Sequence, residues 1–176
     1  MRMQKIFLGG AVTVGTLLLA VFVLGLAASA EDRAVAHFWH DVHFLLGLFT
    51  TMATLLVHSI VFTYFLGTGK WIREVVRVYG LPEWVEAQTI RNKQRAFPFE
   101  LLAMLLVGAT AWLGAAADTR RDFNPLWHLG LAGVALTFNL GAFVVEYAAI
   151  LAQERLLLEV KAQADRLRFG PRTPAP

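Results

Sequence analysis

His40 and His58 stand eighteen residues apart inside one long apolar run, and His128 and Glu146 stand eighteen apart inside another. Imidazoles in apolar surroundings ligate metals and haem iron or pass protons, and a carboxylate facing an imidazole completes a proton-exchanging pair. At about 100° per residue, eighteen residues close five helical turns, so His40 and His58 share a face and lie roughly 27 Å apart along it. Gly47, Thr51 and Thr54 fall close to the same line, as Ala135, Asn139 and Ala142 do on the second run. Each leading histidine follows a tryptophan, Trp39 or Trp127. Small and polar stripes on otherwise apolar helices face protein rather than lipid, so the two runs are expected to face each other.

Two clusters follow from that pairing. The outer one holds His37, His40, His43, Asp41 and His128. One of His40 or His43, three residues apart on one face, is expected to pair with His128 as the axial ligands of a haem b. Arg33, Arg120 and Arg121 are the cations placed to meet the haem propionates. The same three histidines, His40, His43 and His128, are also the candidate ligands for zinc or copper. The plainer alternative is interfacial histidines bonded to loops and headgroups. The inner cluster is His58, Glu146 and Glu100, with Thr54 one turn above His58. Ionisable groups at such depth suit a quinone pocket or a proton relay. The alternative there is a structural hydrogen bond that locks the two helices together, with Glu100 nearer the interface and paired to Arg95.

The elements that must position these groups are read from composition. The chain has 176 residues, 57% hydrophobic and 16% charged, against about 25% charged in an ordinary soluble domain. It lacks cysteine, which excludes disulfides, thiolate metal sites and cysteine nucleophiles. Apolar segments at residues 6–28, 35–66, 97–117 and 126–152 are each long enough to cross a bilayer. The expected fold is an all-α integral membrane protein: a four-transmembrane-helix bundle, with a possible direct two-hairpin repeat and interfacial amphipathic helices. Ala28-Ser29-Ala30 resembles a signal-peptidase site, but the apolar run before it is longer than a usual signal core, so it is read as the first membrane helix. Gly67-Thr68-Gly69 is expected to end the second helix. Residues 70–79 then lie along the membrane surface, 83–95 form a polar interfacial helix, and Pro98 opens the third membrane helix. Residues 1–152, with the cytoplasmic interfacial loop 70–95, form the transmembrane domain; 153–176 form a cytoplasmic amphipathic helix and tail.

Thirteen of the sixteen lysines and arginines fall in the head, the central loop and the tail, and three (Arg33, Arg120 and Arg121) fall on the other side. The positive-inside rule then puts both termini in the cytoplasm and the chain in the cytoplasmic, or inner, membrane. The net charge of +3 is thus a topology signal and not a nucleic-acid footprint. The outline is similar to that of small membrane b-type cytochromes, in helix count and in histidines on facing helices. Where that pattern sets two histidines on each of two helices, Glu146 takes the fourth place, so one outer haem is expected rather than two. The expected function is electron transfer, with one outer haem and an inner His/Glu quinone or proton site. The alternatives are a metal or proton translocator, or an accessory or assembly subunit of a larger membrane complex. The expected partners are the lipid bilayer and either other membrane subunits or copies of the same chain.

Overall fold

A computed structural model describes residues 3–27, 33–120 and 122–170, without the side chains of 33–37. It contains four helices: α1 (Met3–Ala27), α2 (Arg33–Tyr79), α3 (Trp84–Thr119) and α4 (Leu126–Phe169). All four are long and apolar enough to cross a membrane. Large apolar side chains lie open on the outer faces, Met52 at 65% and Val144 at 71% exposure among them, as helices facing lipid require and soluble surfaces avoid. α2 and α4 pack against each other, α1 and α3 each pack against both, and among the described residues α1 and α3 make no close backbone approach. The end holding Met3, the α2–α3 turn and Phe169 is called lower here; the opposite end is upper.

Helix α4 shows why the bundle winds as it does. Ala135, Asn139, Ala142, Glu146, Ala149, Gln153, Leu156 and Val160 are all buried, at alternating steps of four and three. That period of 3.5 residues keeps one seam against the neighbours through a left-handed supercoil. Alanine at every other step lets the backbones approach closely.

Two expected breaks are absent. Gly67-Thr68-Gly69 does not end α2, and residues 70–79 are not a separate helix; α2 continues without a break to Tyr79. Each interior glycine costs a helix up to about 1 kcal/mol, but Phe65, Ile72 and Val75 on either side are buried, and packing outweighs the local preference. Pro98 likewise does not open the third helix but sits inside α3. Its ring is on an exposed face, where the missing N–H leaves only the Gln94 carbonyl without its partner. The helices are therefore longer than a bilayer needs. α2, α3 and α4 have 47, 36 and 44 residues, about 70, 54 and 66 Å, against about 30 Å of hydrocarbon.

The surplus forms a three-helix extension at the lower end. Ile72 and Val75 of α2, Val85 of α3, and Leu156, Val160 and Ala164 of α4 close a second apolar core there. The amphipathic stripes expected to face the membrane surface are instead the seams of this extension. The α2–α3 turn is set by Gly80, whose φ of 63° is open to glycine. The Leu81 N–H reaches back to the Val76 carbonyl at 3.1 Å, and Leu81 itself is buried in the core, as in a Schellman helix end.

Candidate functional site

The histidines and carboxylates singled out by the sequence lie at two levels of the bundle, centred on α2 and α4. At the upper level His43 of α2 and His128 of α4 come together, with ring centroids 6.1 Å apart and planes inclined at 76°. Each ring is held in the same way by the preceding helix. His43 Nδ1 lies 3.1 Å from the Val21 carbonyl oxygen, and His128 Nδ1 lies 3.0 Å from that of Thr110. A carbonyl only accepts, so Nδ1 carries a hydrogen in both rings, and in the neutral imidazole Nε2 then holds the lone pair. Four residues further along each preceding helix stands a glycine against the imidazole. A Cβ on Gly25 would sit 2.9 Å from His43 Cε1, and one on Gly114 would sit 3.0 Å from His128 Cε1. The two hairpins thus repeat one arrangement of carbonyl, glycine and histidine.

His40 does not join this pair. It lies a turn further out, half exposed, with Nε2 3.0 Å from Asp118 at the end of α3. Arg120 is exposed and lies 3.6 Å from Asp122. Arg121 and the side chains of Arg33 and His37 lie outside the described residues. Among the described residues no group of three or more metal-binding side chains forms, so the triad His40, His43 and His128 expected for zinc or copper is reduced to a pair.

At the lower level His58, Glu146, Glu100 and Asn139 are buried together. His58 Nδ1 lies 2.7 Å from Glu146 Oε1, and Nε2 donates to Asn139 Oδ1 at 3.0 Å. Asn139 is oriented by its own N–H bond to the Ala135 carbonyl, at 2.7 Å. With Nε2 fixed as a donor, one proton lies between Nδ1 and Oε1, and its position decides whether the pair is charged or neutral. Glu146 Oε2 and Glu100 Oε1 are buried without a hydrogen-bond partner. Glu100, from α3, interacts electrostatically with both His58 and Glu146 and makes no ion pair with Arg95 among the described residues. It is therefore a member of the buried centre and not an interfacial residue. Thr54 is buried one turn above, but its hydroxyl donates to the Thr50 carbonyl at 2.7 Å and is not offered to the centre. Phe143 stacks on the His58 ring, 5.2 Å between centroids and 17° between planes.

A buried amide network further down escaped the sequence reading. Gln153 accepts from Asn92 at 3.0 Å and donates to Thr89 at 2.8 Å and to Thr68 at 3.2 Å. It ties α2, α3 and α4 at the base of the extension. The signal was present: Gln153 follows Asn139 and Glu146 at intervals of seven. Between it and the centre lie Val61, Phe65, Ala96, Ala149 and Ile150, all buried, with Tyr64 packed against them and its hydroxyl buried without a hydrogen-bond partner. Compared with known proteins, the chain matches no family, no curated protein and no solved structure.

Proposed function

We propose that the chain is a multi-pass protein of the cytoplasmic membrane that carries one b-type haem between His43 and His128 and transfers electrons, with the His58–Glu146–Glu100 centre exchanging protons. The observation that carries this reading is the matched histidine pair. A metal–imidazole bond is about 2 Å and the ring centre lies about 1 Å beyond the nitrogen, so two imidazoles on opposite faces of one metal have centroids about 6 Å apart. The observed separation is 6.1 Å. Both rings keep Nε2 as the free lone pair, which is the state a metal requires. A bare zinc ion takes four protein or water ligands, whereas a haem brings its own four equatorial nitrogens and needs two axial imidazoles. Two histidines on facing helices of a bundle meet that need. The lysine and arginine distribution supports an orientation with both termini in the cytoplasm and the histidine pair toward the outer side.

The test is the absorption spectrum of the full-length protein, purified from cells supplied with haem. A low-spin Soret band is expected, lost or converted to a five-coordinate form by His43→Ala and by His128→Ala. His40→Ala is expected to leave it intact, because His40 contacts Asp118 and not the pair. Absence of any Soret band in the parent protein refutes the haem.

A further inference from the structure

Two cations line one groove between α2 and α3. They are Arg73 of α2 and Lys93 of α3, and neither makes an ion pair among the described residues. The floor of the groove is Gly69 and Thr89. Arg73 stands one turn below Gly69 on α2, and Lys93 stands one turn above Thr89 on α3. The facing helices thus set one cation on each side of the floor. No carboxylate lines the groove; Glu74 and Glu86, close by in sequence, do not reach it. Its volume is about 50 Å³, room for about four water-sized bodies. That admits the oxygens of a compact anion and excludes a nucleotide or a sugar ring.

The floor itself is suited to an anion. A Cβ on Gly69 would meet only Thr89 Oγ1, at 3.9 Å, an ordinary contact, so packing does not demand glycine there. An interior glycine weakens a helix; what this one leaves is an open floor. The Thr89 hydroxyl accepts from Gln153 Nε2 at 2.8 Å. Thr63 and Thr68 return their hydroxyl hydrogens to their own helix backbone, whereas Thr89 donates to no group among the described residues. Gln153 therefore fixes the oxygen and leaves the hydrogen to a ligand in the groove.

We propose that this groove holds the phosphate of an anionic phospholipid of the lower leaflet, between Arg73, Lys93 and the Thr89 hydroxyl, with the acyl chains rising past Leu66. Position selects a lipid over free phosphate. Leu66 is the last residue of the apolar run 35–66, and Lys93 lies one turn below Phe97, where the run 97–117 begins. The groove thus opens at the level of the headgroups. Its rim carries Leu66 and Ile90, 46% and 41% exposed. Cations beside an apolar rim match a phosphate beneath its own chains, as basic pockets between membrane helices do for anionic headgroups. The proposal rests on the chain spanning the membrane, and on neither the haem nor the His58 centre.

The experiment is native mass spectrometry of the full-length protein, released from micelles containing equal amounts of phosphatidylglycerol and phosphatidylcholine with the same chains. One retained phosphatidylglycerol is expected, preferred about tenfold or more over phosphatidylcholine. Arg73→Gln with Lys93→Gln is expected to abolish the preference. Arg77→Gln with Arg95→Gln removes the same charge from exposed positions outside the groove and is expected to keep it. Gly69→Leu fills the floor and is expected to lower retention about tenfold. Gly67→Leu, where a Cβ meets nothing within 4 Å, is expected to leave it unchanged. Equal retention of the two lipids overturns the proposal, as does retention by Gly69→Leu equal to that of the parent. Equal loss in the two double variants would mark a diffuse attraction of the basic end and overturns it too. Displacement of the lipid by an equal concentration of inorganic phosphate would mark an ion site and removes the lipid. The Soret band is expected to be the same in every variant, so the haem and the lipid stand or fall separately.

Discussion

Gly114→Ala is a single methyl group placed where it discriminates between a structural histidine and a ligand. The new Cβ would lie 3.0 Å from His128 Cε1 and 3.3 Å from Nδ1. Non-bonded carbons rest at about 3.5 Å or more, so the ring must retreat by roughly half an ångström. Its Nδ1 bond to the Thr110 carbonyl is 3.0 Å, and that retreat takes it to the edge of hydrogen-bond distance. Loss of such a bond costs about 0.5–1.5 kcal/mol, and the ring leaves the line it shares with His43. Haem affinity should fall by about tenfold, since about 1.4 kcal/mol is a factor of ten. Gly25→Ala should do the same through His43, where the methyl meets Cε1 at 2.9 Å. Gly108→Ala and Gly141→Ala are the controls, because a Cβ there meets nothing within 4 Å. Both should keep haem affinity and add up to about 1 kcal/mol of helix stability. The assay is spectroscopic haem titration of apo-protein. If Gly114→Ala binds haem as Gly108→Ala does, the two glycines are not seating ligand histidines and the argument fails.

The other expectations concern the lower half of the bundle. His58→Ala strips the donor from Glu146 Oε1 and Asn139 Oδ1, both fully buried; removing one partner of such a pair costs about 3–5 kcal/mol. Glu146→Gln offers an amide N–H to the Nδ1 lone pair of a neutral His58 whose Nε2 hydrogen stays on Asn139, and should cost clearly less; equal losses of stability for the two in detergent unfolding would contradict the pairing. Gln153→Leu unpartners Asn92, Thr89 and Thr68 at the base of the extension, at about 1–3 kcal/mol. Amide exchange should quicken in residues 70–95 and 155–169 while the Soret band stays; unchanged exchange would mean that the extension does not hold together through this network.

The helix count was legible because apolar length is sufficient to recognise a span. The His58–Glu146 pairing was legible because two ionisable groups deep in apolar runs have few partners except each other. The choice of His43 over His40 was not. The two are three residues apart on one face, and what separates them is where the packed end of the bundle falls, which is set by Gly25 and Gly114 on other helices. The extension was misread for a related reason. An apolar stripe on residues 70–79 fits a membrane surface and a neighbouring helix equally well, and the pattern does not say which covers it. Pro98 was placed at a helix start because proline favours that position, and an exposed interior site satisfies the same ring nearly as well.

The two polar levels share α2 and α4 but are insulated from each other. His43 and His58 are fifteen residues apart, about 22 Å along the axis. Of the three hydroxyls on α2 between them, those of Thr50 and Thr54 are buried and donate to their own helix backbone at 2.7 Å, and Thr51 is half-buried. Below the centre, seven residues separate Glu146 from Gln153, about 10 Å filled with aliphatic and aromatic side chains. In the lower interval the Tyr64 hydroxyl is buried without a hydrogen-bond partner. The division of labour fits the chemistry of each level: imidazoles with fixed tautomers and free Nε2 above, an imidazole with a movable proton and spare carboxylate oxygens below.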